Sequence, residues 1–156
     1  MRPLAHLVAA PAVGAAVFAW TGNGVAAGAA AALEVLLDLD HGLDFLLFSS
    51  RPYRWKDLFR YGASGEWGRV MFLGHGFEWL LPLGIVAGWT ASPIWGGVFF
   101  GVLVHLLMDG LGNRKVPGHR RIHGLFYFIT YRLHQGFRVE RMSTVEPAPG
   151  AGICGR

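Results

Sequence analysis

The sequence LLDLDHGLD, residues 36–44, puts three carboxylates and one imidazole at the end of a long apolar segment. Ionisable groups next to hydrocarbon are costly, and they are tolerated where they pair with one another, bind a cation or line a wet cavity. The stretch therefore predicts a functional site at one end of a membrane helix. The ionisable residues of the other apolar segments are its candidate partners.

The composition indicates a membrane protein. Of the 156 residues, 53% are hydrophobic and only 15% are charged, which is too apolar for an ordinary soluble domain of this length. The formal net charge of +4 does not point to nucleic acid, because no Lys or Arg lies in 3–50 or 70–113. The single cysteine, Cys154, lies in a Gly/Pro-rich tail, which excludes a disulfide framework and a thiolate metal site. We expect one membrane domain over 1–142 and a disordered tail over 143–156.

Four apolar segments approach or exceed the length needed to cross a bilayer with ~30 Å of hydrocarbon. Short turns separate the first segment from the second and the third from the fourth. Pro82 predicts a kink in the third, and Ser92 and Pro93 predict an N-cap and a first helical position. The segments are 4–20, 25–48, 71–89 and 94–111.

The predicted fold class is therefore all-α, a polytopic membrane protein with four transmembrane helices. An aromatic stretch, 122–134, is too short to span and predicts an additional interfacial or re-entrant helix. A signal peptide is the alternative interpretation of the first segment. The thin basic region before it and the presence of His6 inside it argue against that alternative.

With four spans, the N-terminus and the two long loops lie on one side of the membrane, and every Lys and Arg belongs to that side. The positive-inside tendency makes this side cytoplasmic. The loop 49–69 interleaves basic and aromatic residues and predicts an interfacial anchor. The ionisable residues of all four helices then lie in the cytoplasmic leaflet, within a few helical turns of this basic surface.

Imidazoles and carboxylates without a thiolate suit Zn²⁺, Mn²⁺ or Fe²⁺. The ligand candidates outnumber what one tetrahedral ion needs, so we expect one to three divalent ions, most simply Zn²⁺. Each histidine also has an ordinary interpretation as a hydrogen-bonded packing residue. The role of Glu34 stays undecided: it can be a hydrogen-bond partner of a metal ligand or a packing residue. His119 and His123 fit a cationic surface. The predicted metal ligands are His6, Asp38, Asp40, His41, His75, Glu78, His105 and Asp109.

These residues resemble the bacterial inner-membrane family described as membrane-bound metal-dependent hydrolases, which is distantly similar to zinc-dependent phospholipase C and P1-type nucleases. The matching pieces are an early histidine, an Asp-x-Asp-His element, a histidine opening the third segment, and His-x-x-x-Asp before a Gly/Pro-containing loop. They stand at His6, 38–41, His75 and 105–109.

Two departures from the family pattern affect the expected ligand set. The family usually has Pro where this chain has Leu37. It has a His-Arg pair just ahead of the third-segment histidine, where this chain has 72–74, Phe-Leu-Gly. Glu78 is the predicted substitute for the missing ligand. The resemblance implies a multi-pass protein of the bacterial inner membrane whose partners are membrane lipids.

The predicted function is a metal-dependent hydrolase at the cytoplasmic membrane interface, and the resemblance implies a phosphoester of a lipid or another amphiphile as substrate. Asp40 or Glu78 would orient or deprotonate the attacking water. Arg69, Arg114 and Lys115 would hold an anionic headgroup.

A metal-ion or proton transporter using the same cluster is the main alternative. A bis-His haem protein would leave the carboxylates unexplained, and a purely structural membrane protein is a further alternative.

Overall fold

The computed structural model describes residues 3–48, 69–113 and 122–143. Within these ranges the chain is helical, with two isolated β-bridges and no strand, which confirms the predicted all-α class. The α-helices are α1 (Pro3–Thr21), α2 (Gly24–Leu36), α3 (Asp40–Phe48), α4 (Leu80–Thr90), α5 (Pro93–Gly112), α6 (Ile129–His134) and α7 (Val139–Met142). Short 3₁₀ turns lie at Leu37–Leu39, Phe77–Trp79 and Gly124–Tyr127.

Two helices are long and apolar enough to cross a membrane. They are Leu4–Thr21 in α1 and Pro93–Gly112, the whole of α5, with 18 and 20 residues. The helices α2 and α4 have 13 and 11 residues, fewer than the roughly 20 that a span needs. Two of the four predicted spans therefore have the required length and hydropathy, and the other two stay predictions.

The second and third predicted segments are not continuous α-helices. Each is interrupted where it carries a predicted ligand, at Asp38 and at His75. The helix α2 tightens into a 3₁₀ turn at Leu37–Leu39 before α3 resumes. In the third segment, residues 71–76 are not helical, and Phe72 has a positive φ of 42°. Pro82 therefore lies in the first turn of α4, where proline is tolerated, and does not interrupt that helix. Pro93 opens α5 as predicted, but Ser92 makes no side-chain cap hydrogen bond.

The close approach of α2 and α5 sets the register of the site. Gly97 and Gly101 of α5 face Ala26 and Ala30 of α2, and a Cβ added to Gly101 would lie 2.7 Å from the Ala30 carbonyl oxygen. Small residues four apart let two helix backbones meet in this way. One further turn along both helices brings His105 opposite Glu34, because all these positions are separated by four residues.

The segment after α5 covers the open end of this helix packing. Val70 and Phe72, with Leu106 of α5, share one buried apolar cluster with Phe126 and Met142. The predicted helix at 122–134 is two short elements, a 3₁₀ turn and α6, neither of which is long enough to span. The predicted anchor at 49–69 and the predicted disordered tail at 143–156 lie outside the described residues, except for Arg69 and Ser143.

Candidate metal centre

Three helices, one 3₁₀ turn and the 71–76 loop bring six potential ligands together. The ligand atoms form two groups, and within each group all of them lie within 4.8 Å of one another. Asp38 belongs to both groups. The first group is His6, Asp38, His105 and Asp109, and the second is Asp38, His41 and His75.

The separations between ligand atoms suit a metal ion. Zn–N and Zn–O bonds of ~2.0–2.1 Å in a tetrahedron place neighbouring ligand atoms about 3.3 Å apart. Oδ1 of Asp38 lies 3.5 Å from Nε2 of His41, 3.5 Å from Nε2 of His75 and 3.6 Å from Nε2 of His105. Nε2 of His6 lies 3.2 Å from Oδ1 of Asp109. The buried His/Asp group can therefore hold a metal ion without a large rearrangement.

Hydrogen bonds on the far side of each ring turn three Nε2 atoms toward this centre. Nδ1 of His105 donates to the Glu34 carbonyl at 2.8 Å, and a carbonyl can only accept. Nδ1 of His6 contacts Oε1 of Glu34 at 2.9 Å, and Nδ1 of His75 contacts Oδ2 of Asp40 at 2.9 Å. Metal-bound histidines are characteristically held by a carboxylate or a carbonyl in this manner.

Two of these nitrogens lie so close together that a proton or a metal ion fits between them. Nε2 of His75 and Nε2 of His105 are 3.0 Å apart. With both Nδ1 atoms donating, two neutral rings would direct lone pairs at each other. A proton or a metal ion shared at this point removes the repulsion. Both the orientation of the rings and their proximity therefore fit a metal ion.

The charges lead to the same conclusion. Glu34 and Asp109 are 0% and 3% exposed, and Asp38 and Asp40 are largely buried beside them. Among the residues that the structure describes, Glu34, Asp38 and Asp40 form ion pairs with histidines and not with Lys or Arg. Buried carboxylates need compensating positive charge, which imidazolium protons or bound cations can provide.

Asp40, predicted as both ligand and base, belongs to neither ligand group. Its Oδ2 accepts hydrogen bonds from the Gly74 backbone N–H and from His75, both at 2.9 Å. Its Oδ1 is buried and has no hydrogen-bond partner among the described residues. Asp40 therefore orients His75, and one of its oxygens stays available for a proton.

Glu78 lies elsewhere, and its predicted role as a metal ligand needs correction. Its carboxylate accepts hydrogen bonds from the backbone N–H groups of Ile129 and Thr130, both at 2.9 Å, and from the Thr130 hydroxyl at 2.8 Å. These contacts cap the start of α6. The prediction assumed a helix through residues 75–78, whereas His75 precedes the 3₁₀ turn at Phe77–Trp79. The two side chains consequently point to different partners.

Arg132 was missed by the sequence analysis. It is 0% exposed on α6, and its Nη2 donates to the carbonyls of Phe72 and His75 at 2.9 and 3.2 Å. Burial lowers the pKa of the guanidinium to about 10, against the opposing effect of nearby carboxylates, so it stays charged at neutral pH. A lone arginine inside an aromatic segment was the available signal. Arg132 holds the loop that presents His75.

The predicted headgroup-binding residues are mostly outside the described part of the chain. Arg114 and Lys115 lie in the undescribed range 114–121. Arg69 is exposed, and its backbone forms a β-bridge with Arg138, which is also exposed. Two cationic side chains therefore start from adjacent backbone positions.

Comparison with family models, with curated proteins and with solved structures finds no match to this chain. The family resemblance based on the sequence motifs therefore stays a prediction. The chemical interpretation of the site rests on its own geometry.

Proposed function

We propose that the protein is a metal-dependent hydrolase of the cytoplasmic membrane, acting on a phosphoester of a lipid or another amphiphile. The observation that carries the proposal is the pair of ligand groups joined by Asp38. A carboxylate shared by two ion sites is typical of two-metal hydrolytic centres, whose ions polarise the substrate and make a bound water acidic. Zn²⁺ fits the nitrogen and oxygen donors best, and Mn²⁺ or Fe²⁺ are alternatives.

Individual residues have the following proposed roles in the reaction. Asp38 and Asp109 lower the positive charge of the site and fix its geometry. Asp40 is the proposed proton acceptor, because its Oδ1 is buried and has no partner among the described residues. This assignment replaces Glu78, whose oxygens cap α6. Arg69 is the proposed contact for an anionic headgroup.

The placement of the polar groups favours a hydrolase over a transporter. In α1 the only ionisable residue is His6, and in α5 His105 and Asp109 lie in the second half of the helix. A transport pathway would need ionisable or hydrated groups across the remaining length of the helices. We also propose that the segments 25–48 and 71–89, which contain α2 and α4, complete a four-span domain whose metal centre faces the cytoplasmic side.

The test is hydrolysis by the purified protein in detergent, with Zn²⁺ or Mn²⁺ added. Phospholipid, isoprenoid-phosphate and nucleotide phosphoesters are offered to the wild type, His105→Ala and the control His134→Ala. His105 is a ligand candidate, whereas His134 is exposed at the end of α6. We expect metal-dependent turnover that His105→Ala lowers by at least the ~10–100-fold that loss of a ligand's hydrogen-bond partner costs, and that His134→Ala leaves intact. Metal flux in sealed vesicles without hydrolysis of any substrate would establish the transporter instead.

A further inference from the structure

Glu34 contacts two different ligand histidines, one through its side chain and one through its backbone. Oε1 of the carboxylate is 2.9 Å from Nδ1 of His6, and the backbone carbonyl is 2.8 Å from Nδ1 of His105. The residue is 0% exposed. The two rings that it contacts are stacked, with centroids 4.0 Å apart and planes 25° from parallel.

The backbone contact is available because of where α2 ends. Glu34 is among the last four residues of α2, and the carbonyls in this part of a helix lack the usual partner four residues ahead. The chain then tightens into the 3₁₀ turn at Leu37–Leu39. The Glu34 carbonyl is consequently able to accept a hydrogen bond from α5, and the approach of α5 at Gly101 brings His105 within reach.

We infer that Glu34 is a positioning residue that fixes the ring orientation and the Nδ1–H form of both His6 and His105, and so sets the metal affinity of the first ligand group. This inference rests on the proposed metal centre. The carboxylate and the carbonyl accept from the two Nδ1–H groups, which leaves both Nε2 atoms as lone-pair donors facing Asp38 and Asp109. The negative charge of Glu34 also makes His6 a stronger ligand.

The two contacts of Glu34 can be separated by mutation, because one uses the side chain and the other uses the backbone. Glu34→Leu removes the acceptor for His6 but keeps the carbonyl that holds His105. Glu34→Gln keeps an oxygen acceptor and removes the charge. Glu140→Gln is the matched control, because Glu140 is exposed and its ion-pair partner is Arg138.

The first measurement is Zn²⁺ affinity by chelator competition in detergent, with circular dichroism to confirm folding. We expect Glu34→Leu to weaken binding by ~10–100-fold, as for other partners of metal-bound histidines, and Glu34→Gln to recover part of that loss. Glu140→Gln should bind like the wild type. Equal Zn²⁺ affinity in the wild type, Glu34→Leu and Glu34→Gln would overturn the inference.

The second measurement is ¹⁵N-histidine NMR of the Zn²⁺-loaded protein, in which a general loss of stability would lower the protection of both rings alike. In the wild type, the Nδ1–H signals of His6 and His105 should both be protected from solvent exchange. In Glu34→Leu only the His6 signal should lose protection. Simultaneous loss at both rings, or at neither, contradicts the inference. A wild type that binds no Zn²⁺ at all would instead overturn the proposed metal centre, and the inference with it.

Discussion

Replacing Gly101 by alanine should weaken metal binding although Gly101 is not a ligand. A Cβ at this position would lie 2.7 Å from the carbonyl oxygen and 2.9 Å from the Cα of Ala30. Both atoms belong to the backbone of α2, so no side chain can rotate away. Ordinary van der Waals contact begins at 3.4 Å. The two helices must therefore separate by about 0.7 Å at this point, a form of overpacking that typically costs ~1–3 kcal/mol.

The same displacement acts on the metal centre one helical turn away. His105 follows Gly101 on the same face of α5 and donates to the Glu34 carbonyl at 2.8 Å. If the separation extends one turn, this distance becomes about 3.5 Å, which is beyond the normal range of an N–H···O hydrogen bond. Loss of such a partner lowers metal affinity by ~10–100-fold. Gly101→Ala should therefore reduce both the stability of the protein and its affinity for Zn²⁺.

The assay pairs chelator-competition measurements of Zn²⁺ affinity with thermal unfolding of the metal-free protein in detergent. Gly28→Ala is the matched control, since Gly28 lies in α2 and a Cβ there meets nothing within 4 Å. The control should bind Zn²⁺ like the wild type and unfold at a temperature no lower. If Gly101→Ala matched Gly28→Ala in both measurements, the link between helix packing and ligand geometry would be refuted.

Three further predictions concern the second ligand group, the loop that carries His75, and the topology. His41→Ala should lower the number of bound metal ions per chain by one and leave the other ion bound, as measured by elemental analysis. Arg132→Met should destabilise the fold by ~1.5–3 kcal/mol per lost charged hydrogen bond, whereas Arg138→Met should cost ~0–1 kcal/mol, as measured by denaturant unfolding. Single cysteines at Asn23 and Ala91, in a cysteine-free background, should react only with reagents added outside the cell, and labelling from the cytoplasm alone would reverse the proposed orientation.

The sequence sufficed to predict the features that depend on regular helices. The bounds of the first and fourth segments match α1 and α5 to within one or two residues, because long apolar runs with terminal turns leave little choice. His105 and Asp109, both predicted ligands, lie on one face of α5 and in one ligand group, since four residues make about one turn. His6 joins them because α1 packs against α2, to which a short turn connects it, and also contacts α5.

The errors arise where the chain leaves the α-helix. Glu78 was predicted as a ligand beside His75 on the assumption that the segment 71–89 is helical throughout, but residues 71–76 form a loop. Arg132 was overlooked because its acceptors, the carbonyls of Phe72 and His75, become available only through the conformation of that loop. The sequence does not show which backbone carbonyls will be available as hydrogen-bond acceptors. Glu34 was left undecided for the same reason, since half of its role belongs to its carbonyl.

The 3₁₀ turn at Leu37–Leu39 connects these local departures to the chemistry. A 3₁₀ turn advances about 120° per residue where an α-helix advances about 100°, so three residues rotate the following helix by roughly 60°. Residues three apart eclipse in this geometry, which brings Asp38 and His41 to one side, 3.5 Å apart. Asp40 faces the 71–76 loop and holds His75. In a continuous α-helix through 36–44, Asp38 and His41 would still share a face, but without the added rotation of roughly 60° α3 would hold Asp40 and His41 in other directions relative to α2 and His105.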